Sequence, residues 1–415
     1  MSPTGRSALT LGALSLCALF VPIPLILVGG AVLAAVVAVD AWAVRARPAI
    51  SATVPHMLSR GVPETLTLRP TSVGDRGVRF RQPAPPDIRI EPPEGDGELT
   101  AQVTALRRGR HVLPAPAARW DGPLRLGRWY HRPGESREVV VYPDLPAARK
   151  IALAVRRGRF GAQGRRTRGP LGLGTDFESI RDYLPDDDVR QVNWRVTARL
   201  GRPMSNQYRV EQDRDVVCVV DSGRLMAAPI GDLTRLDAAV DAATAVAFVA
   251  DEVGDRCGVL AFDSEVRRNL RPRRGAGDAV VRALFDLEPV RTESDYELAF
   301  RTVAGVKRSF VLVLTDLLEE SAARPLVEAV PILARRHVVV VAGVADPDLT
   351  VAVGQRPSSP HDVYAAAVAL DVLAARSRVA ARLRHAGAGV VEAPPGRLGA
   401  ACTMAYLTAK ARARL

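Results

Sequence analysis

Lysine is almost missing from this chain. Lys150, Lys307 and Lys410 are the only three, although Lys and Arg together number 57. The net charge of +12 is therefore carried by arginine, a flat two-pronged donor suited to structural carboxylate pairs. Nucleic-acid binding is not expected from such a balance. Cysteine is scarce as well, at Cys17, Cys218, Cys257 and Cys402. No two stand at C-x-x-C spacing, so neither a zinc site nor a disulfide framework is indicated, and a reducing compartment fits. The Gly-Lys pair of a phosphate-binding loop is absent, which excludes a P-loop ATPase. H-E-x-x-H and G-x-S-x-G are absent too, and the six histidines are scattered. The glycine patterns at Gly158-x-x-Gly161-x-x-Gly164 and Gly172-x-Gly174 follow no strand and read as loops.

What is present begins with a long apolar run. From Ser7 to Val39 there is no charged residue. The run is too long for one span of about 20 residues and just long enough for two short ones. Pro22 and Pro24 fall near its middle, where they break a helix and suit a turn. Two transmembrane spans are expected, at about 7–21 and 25–44. Arg6 precedes the first, and Arg45 and Arg47 follow the second. Positive charge at both ends puts both ends in the cytoplasm. The expected protein is thus a multi-pass plasma (inner) membrane protein with a cytoplasmic body, and residues 1–48 are its helical hairpin.

Residues 49–148 read as a β-rich, sandwich-like domain. Short alternating runs at 64–68, 78–81, 99–105, 110–113 and 138–142 are separated by Gly- and Pro-rich turns. Residues 149–213 hold a linker and a motif. Between 149 and 175 there are eight basic residues and no acidic one, a pattern expected to be solvated or to touch an anionic leaflet. From 214 to 415, apolar strands alternate with helices, which argues for a doubly wound α/β domain with a parallel sheet. Ligands of such sheets sit at the carboxyl ends of the strands.

Two sets of residues stand out. One is the stretch Asp176, Arg181, Tyr183, Asp187, Asp188, Arg190, Trp194 and Arg199, in which carboxylates and arginines alternate around two aromatics. It reads either as a turn and helix with internal ion pairs, or as a recognition surface, since Arg and Trp are common interface anchors. The other set is Asp221, Asp316 and Ser294 (or Thr292), all expected at one end of the sheet. That arrangement resembles the metal-ion-dependent adhesion site of von Willebrand factor A domains.

The run Gly174-Thr175-Asp176-Phe177-x-x-Ile180-Arg181-Asp182-Tyr183-x-Pro185-x-Asp187-Asp188-x-Arg190-x-x-Asn193-Trp194-x-x-x-Ala198-Arg199, then Glu211 and the strand to Asp221, resembles the signature of the domain of unknown function 58 family. The resemblance implies two N-terminal spans, a β-rich insert and a von Willebrand factor A-like domain. It also implies association with AAA+ ATPases of the MoxR class. The sequence departs from the adhesion-site pattern Asp-x-Ser-x-Ser, because Gly223 and Leu225 stand where serines are needed. Mg²⁺ requires near-octahedral oxygen ligation, so any Mg²⁺ site here is degenerate and no cofactor is expected.

The expected function is that of a non-enzymatic, membrane-anchored adaptor that engages a protein partner in complex assembly. Two alternatives are a metal-dependent protein-binding receptor and a hydrolase built on carboxylates such as Asp186–Asp188. The missing serines count against the first. The want of any paired base and nucleophile counts against the second.

Overall fold

In the computed structural model, which describes residues 1–17, 19–46, 49–71, 78–158, 176–184, 187, 189–209, 214–316 and 320–412, the apolar N-terminus folds as two helices. They are α1 (Gly5–Cys17) and α2 (Ile23–Ala43). Pro22 is the N-cap of α2 and Pro24 lies in its first turn, where a missing N–H costs nothing. The prolines therefore start the second helix. At 21 residues and a mean hydropathy of 2.4 over its most apolar window, α2 is long and apolar enough to cross a membrane. The described part of α1 is 13 residues, short of the roughly 20 that a span requires. Arg47 lies outside the described residues.

Two compact units divide the chain, Met1–Tyr142 and Pro143–Leu415. In the first, β1 (Ser2–Pro3) precedes α1, and strands follow α2. These are β2 (Ile50–Thr53), β3 (Met57–Ser59), β4 (Glu64–Pro70), β5 (Val78–Arg81), β6 (Ile88–Glu91), β7 (Glu94–Asp96) and β8 (Leu99–Ala105). After them come β9 (Gly109–Leu113), β10 (Ala117–Asp121), β11 (Gly127–His131) and β12 (Arg137–Tyr142). They form sheets in the orders β2-β4-β8-β6, β1-β11-β10-β5-β7 and β3-β12-β9. Every second residue of β8 is buried, as are Leu66 and Leu68 of β4 and Val78 and Phe80 of β5. This is the two-residue period of strands with one face on a core. Leu58, Leu66, Phe80, Leu99, Val103 and Val141 share that core, so all three sheets enclose it.

The second unit opens with α3 (Leu145–Arg156), capped by Asp144, whose carboxylate accepts from Ala147 N at 3.0 Å. This corrects the expectation of a linker from residue 149. Ala148 and Ala152 are buried and Val155 half-buried, one helical face that packs inward, while Arg149, Lys150 and Arg156 lie outside. The basic charge hid an amphipathic helix. Residues 159–175 lie outside the described residues. The motif follows as β13 (Asp176–Asp182), α4 (Trp194–Leu200) and β14 (Met204–Arg209).

The α/β region contains β15 (Asp215–Asp221), β16 (Pro229–Ile230), β17 (Leu233–Thr234), α5 (Arg235–Glu252), β18 (Arg256–Phe262), β19 (Val266–Arg273), α6 (Gly277–Leu284) and α7 (Tyr296–Ala304). It continues with β20 (Ser309–Leu314), α8 (Glu320–Ala334), β21 (Val338–Val344), α9 (Pro347–Gly354), α10 (Pro360–His385), β22 (Gly389–Ala393) and α11 (Pro395–Ala411). One sheet runs β19-β18-β15-β20-β21-β22. All its pairs are parallel except β18–β19. β15 and β20 are buried along their whole length, as strands covered on both faces must be.

Cys218, Val240, Ala247, Leu312, Leu398 and Tyr406 fill the core on one face. Val219, Phe300, Val313, Leu326, Val341 and Leu383 fill the other. The chain leaves β15 for β18 on one side, then returns to β20 on the other. That reversal makes the carboxyl ends of β15 and β20 the switch point at which doubly wound sheets bind their ligands.

Candidate functional site

Asp221 is the last residue of β15 and is 2% exposed. Its Oδ1 accepts from Gly223 N at 2.8 Å and from Ser294 Oγ at 2.5 Å. Its Oδ2 accepts from Tyr296 OH at 2.9 Å and from Thr315 Oγ1 at 2.6 Å. One amide and three hydroxyls thus surround one carboxylate. Burial, followed by the nearby Asp221 charge, pushes the Tyr296 hydroxyl well above its usual range; it is a donor at every physiological pH. Ser294 reaches Asp221 with its side chain, whereas Thr292 offers its carbonyl to Arg224 N at 2.9 Å.

Gly223 is required here by space. A Cβ at that position would come within 2.1 Å of Ser294 Oγ and 3.2 Å of Asp221 Oδ1. The serine hydroxyl therefore fills the volume in which a side chain at 223 would sit.

Asp316, just after β20, is held from two helices. Arg235, the first residue of α5, donates Nη1 to Asp316 Oδ1 at 2.9 Å. Arg376, from the middle of α10, donates Nη2 to the same oxygen at 3.1 Å. Both guanidiniums are buried, and each also donates to Val344 O, at 3.4 and 3.1 Å. Asp346 lies 3.8 Å from Arg235 Nη2 and balances the second charge. Burial, the larger influence, lowers the Arg235 pKa, and Asp316 partly opposes it.

These residues do not fit a divalent cation. The oxygens of Asp221 are engaged by internal donors. A cation beside Asp316 would face two buried guanidiniums, and like charges in a low-dielectric interior repel strongly. Among the described residues, no group of three or more His, Cys, Asp or Glu side chains converges. The sheet end is a polar network in which Asp221 and Asp316 each have their own partners.

The motif forms a separate small structure. β13 and β14 pair antiparallel, with a register shift between Phe177 and Ser179. Between them, Arg181 Nη2 donates to Asp187 Oδ1 at 2.6 Å, and Leu184 N donates to Asp187 Oδ2 at 2.9 Å. Tyr183 OH donates to Asp187 O at 3.0 Å. The Arg181 hydrogen bond holds the Asp187 carboxyl below its usual range. Asn193 caps α4, accepting from Val196 N at 3.1 Å, and its amide donates to Asn206 Oδ1 at 2.8 Å. Gly201, with φ of 65°, ends the helix in the left-handed conformation.

The expected motif residues separate into distinct roles here. Arg181, Tyr183 and Asp187 meet in one turn. Trp194, the first residue of α4, is 68% exposed, and Arg199 is exposed in its last turn. Asp176 begins β13 and Arg190 belongs to the helical turn Val189–Gln191, but their side chains lie outside the described residues. So do Asp186, Asp188 and Glu211. Leu184, Val189 and Leu200 are also exposed, at 54%, 63% and 51%.

Sequence reasoning brought Asp221, Ser294 and Asp316 to one sheet end but missed Tyr296, Thr315, Arg235 and Arg376 as their partners. Tyr296 and Thr315 adjoin residues already singled out, and that adjacency was an available signal. Nothing local marks Arg376 among the other arginines of α10.

Residues 179–354 match the family described as "Protein of unknown function DUF58". The match takes in most of the motif together with Asp221, Ser294 and Asp316. The chain is similar to uncharacterized protein Rv1480 of Mycobacterium tuberculosis and uncharacterized protein Mb1516 of Mycobacterium bovis. Each is 27% identical over 226 residues, covering 52% of this chain and 70% of the relative.

Proposed function

We propose that this protein is a non-enzymatic, membrane-anchored adaptor. Its anchor is the α1–α2 hairpin, with both ends cytoplasmic, as the arginines at its two ends favour. Its second unit is a von Willebrand factor A-like domain whose metal site has been replaced by hydrogen bonds and ion pairs. Segment 176–209 is its partner-binding surface. The partner that the resemblance implies is an AAA+ ATPase of the MoxR class.

The observation that carries this reading is the exposure of Leu184, Val189, Trp194 and Leu200 in one short segment. Large apolar side chains are costly to leave in water, and a cluster of them around ordered polar turns is what an interface needs. The polar groups at the sheet end, by contrast, are already used internally. The receptor alternative needs a cation where two guanidiniums stand. The hydrolase alternative needs a free carboxylate, and Asp187 is bound on both oxygens.

The test uses the full chain in detergent with a purified MoxR-class ATPase. Trp194→Ala is expected to keep the melting temperature and to lose capture of the ATPase. Undiminished capture by Trp194→Ala, Leu184→Ala and Leu200→Ala chains would overturn the assignment of this surface.

A further inference from the structure

The turn between β10 and β11 is gripped by both outer ends of the helical pair. Asp40, near the end of α2, is 4% exposed. Its Oδ1 accepts from Leu124 N at 2.8 Å, and its Oδ2 accepts from Leu126 N and Gly127 N, both at 2.9 Å. From the start of α1, Thr4 Oγ1 donates to Arg125 O at 2.6 Å, and Thr4 N donates to Leu126 O at 3.0 Å. β1 continues the sheet beside β11, with Ser2 opposite Arg128. The approach is close: a Cβ on Gly127 would lie 2.3 Å from Val37 O, and one on Gly122 would lie 2.4 Å from Asp40 Cγ.

This clasp sets the level of the hairpin tip against the apolar helices. Only 6% of the apolar window of α2 is buried within the chain. At its lower end, Trp42 is 57% exposed and carries the Arg45 guanidinium 3.4 Å above its ring centroid. On the clasped hairpin, Leu124 is 60% exposed and Tyr130 56%. Arg125 is exposed with φ of 56°, a left-handed conformation that a side chain adopts at a cost. Glycine or asparagine would sit there more easily, yet the position carries a cationic side chain. Among the described residues, Arg45 and Arg125 have no carboxylate partner. Trp, Tyr and Arg beside an apolar helix end are the side chains of a bilayer interface.

We propose that the β10–β11 tip is a lipid-headgroup contact. Leu124 dips into the interfacial layer, and Arg125 and Arg45 bind the phosphates of anionic phospholipids. The contact rests on α1–α2 being the membrane anchor. It fixes how deeply the first unit sits, because Asp40 makes the tip and the helix end one piece. Cationic side chains near an anionic leaflet are attracted over about a Debye length, and here one follows the end of α2 and the other sits on the clasped turn.

The experiment uses the full chain in nanodiscs of phosphatidylcholine, with or without phosphatidylglycerol. Cys17→Ser removes the exposed thiol, and the other three cysteines are buried. A fluorophore is then placed at Leu124→Cys or Leu27→Cys and quenched by nitroxide lipids labelled at the headgroup or deep in the acyl chain. The expected result is headgroup quenching at 124 that strengthens with phosphatidylglycerol, and loss of that gain in an Arg45→Gln, Arg125→Asn chain. Asparagine tolerates the left-handed conformation, so that variant keeps the turn. Deep quenching at 27 with none at 124 would overturn the proposal and leave the anchor standing. Quenching at 124 indifferent to lipid charge and to both substitutions would overturn it as well. Absence of quenching at both positions would overturn the anchor and the tip contact together.

Discussion

Arg376 Nη2 donates to Asp316 Oδ1 at 3.1 Å, tying the middle of α10 to the end of the central strand β20. Arg235 meets the same oxygen from α5 on the other face of the sheet. One carboxylate therefore links a helix on each face of the sheet. Neutralising it leaves two buried guanidiniums short of a counter-charge, an arrangement that costs about 3–5 kcal/mol when a buried pair is broken. Asp316→Asn is expected to lose stability on that scale in urea unfolding of the purified chain. Arg376→Met, which leaves Arg235 paired, is expected to lose less. Equal and small losses in both would show that the cluster is solvated.

Gly223 gives a second test. A serine placed there would bring its Cβ to 2.1 Å from Ser294 Oγ. Overpacking of this kind costs about 1–3 kcal/mol. Gly223→Ser is expected to lower the melting temperature and to show no Mg²⁺ heat in titration calorimetry. Ser294→Gly added to it should recover most of the loss, giving a strong coupling in the double-mutant cycle. Tight Mg²⁺ binding by Gly223→Ser would contradict the reading that these residues do not fit a divalent cation.

Much of this architecture was legible because central strands are apolar throughout. β15, β20 and β21 announce themselves as buried runs, and the reversal after β15 puts Asp221 and Asp316 at one end. The antiparallel edge β19 was not legible. Its residues Val266-Arg267-Arg268-Asn269-Leu270-Arg271-Pro272-Arg273 are mostly exposed, so neither alternation nor an apolar run marks it. The β13–β14 hairpin was masked in the same way by its charges and by the register shift at Phe177. Asp40 escaped notice because its partners are backbone amides 84 to 87 residues away, which leave no trace in side-chain chemistry.

His337 supplies a pH dependence. It is 5% exposed just before β21, and among the described residues neither ring nitrogen has a hydrogen-bond partner. Burial first, and Arg336 second, lower its pKa from the usual 6.5. The folded chain therefore binds this proton later than the unfolded chain does. Its contribution to stability is fully present above pH ~6.5 and declines as pH falls from there toward the folded value. The slope from one such group is at most about 1.4 kcal/mol per pH unit. His337→Leu is expected to flatten that part of the stability profile in denaturation series run across mildly acidic pH. An unchanged profile would mean that the imidazole titrates alike in the folded and the unfolded chain.

The clasp at Asp40 separates a carboxylate from its amide. Three backbone N–H groups point at its two oxygens, so both oxygens must accept. Asparagine keeps one oxygen that can accept from Leu126 N and Gly127 N but turns its NH2 toward Leu124 N, so Asp40→Asn is expected to lose part of what Asp40→Ala loses. Each amide left without a partner costs about 1–3 kcal/mol, and the loss should fall on the turn between β10 and β11. Limited proteolysis of the detergent-solubilised chain is the direct reading, because Arg125 sits exposed in that turn. Trypsin is expected to cut there in both variants long before it does so in the parent chain. A parent-like digestion pattern in Asp40→Asn, with cutting in Asp40→Ala, would mean that shape rather than charge holds the hairpin to α2.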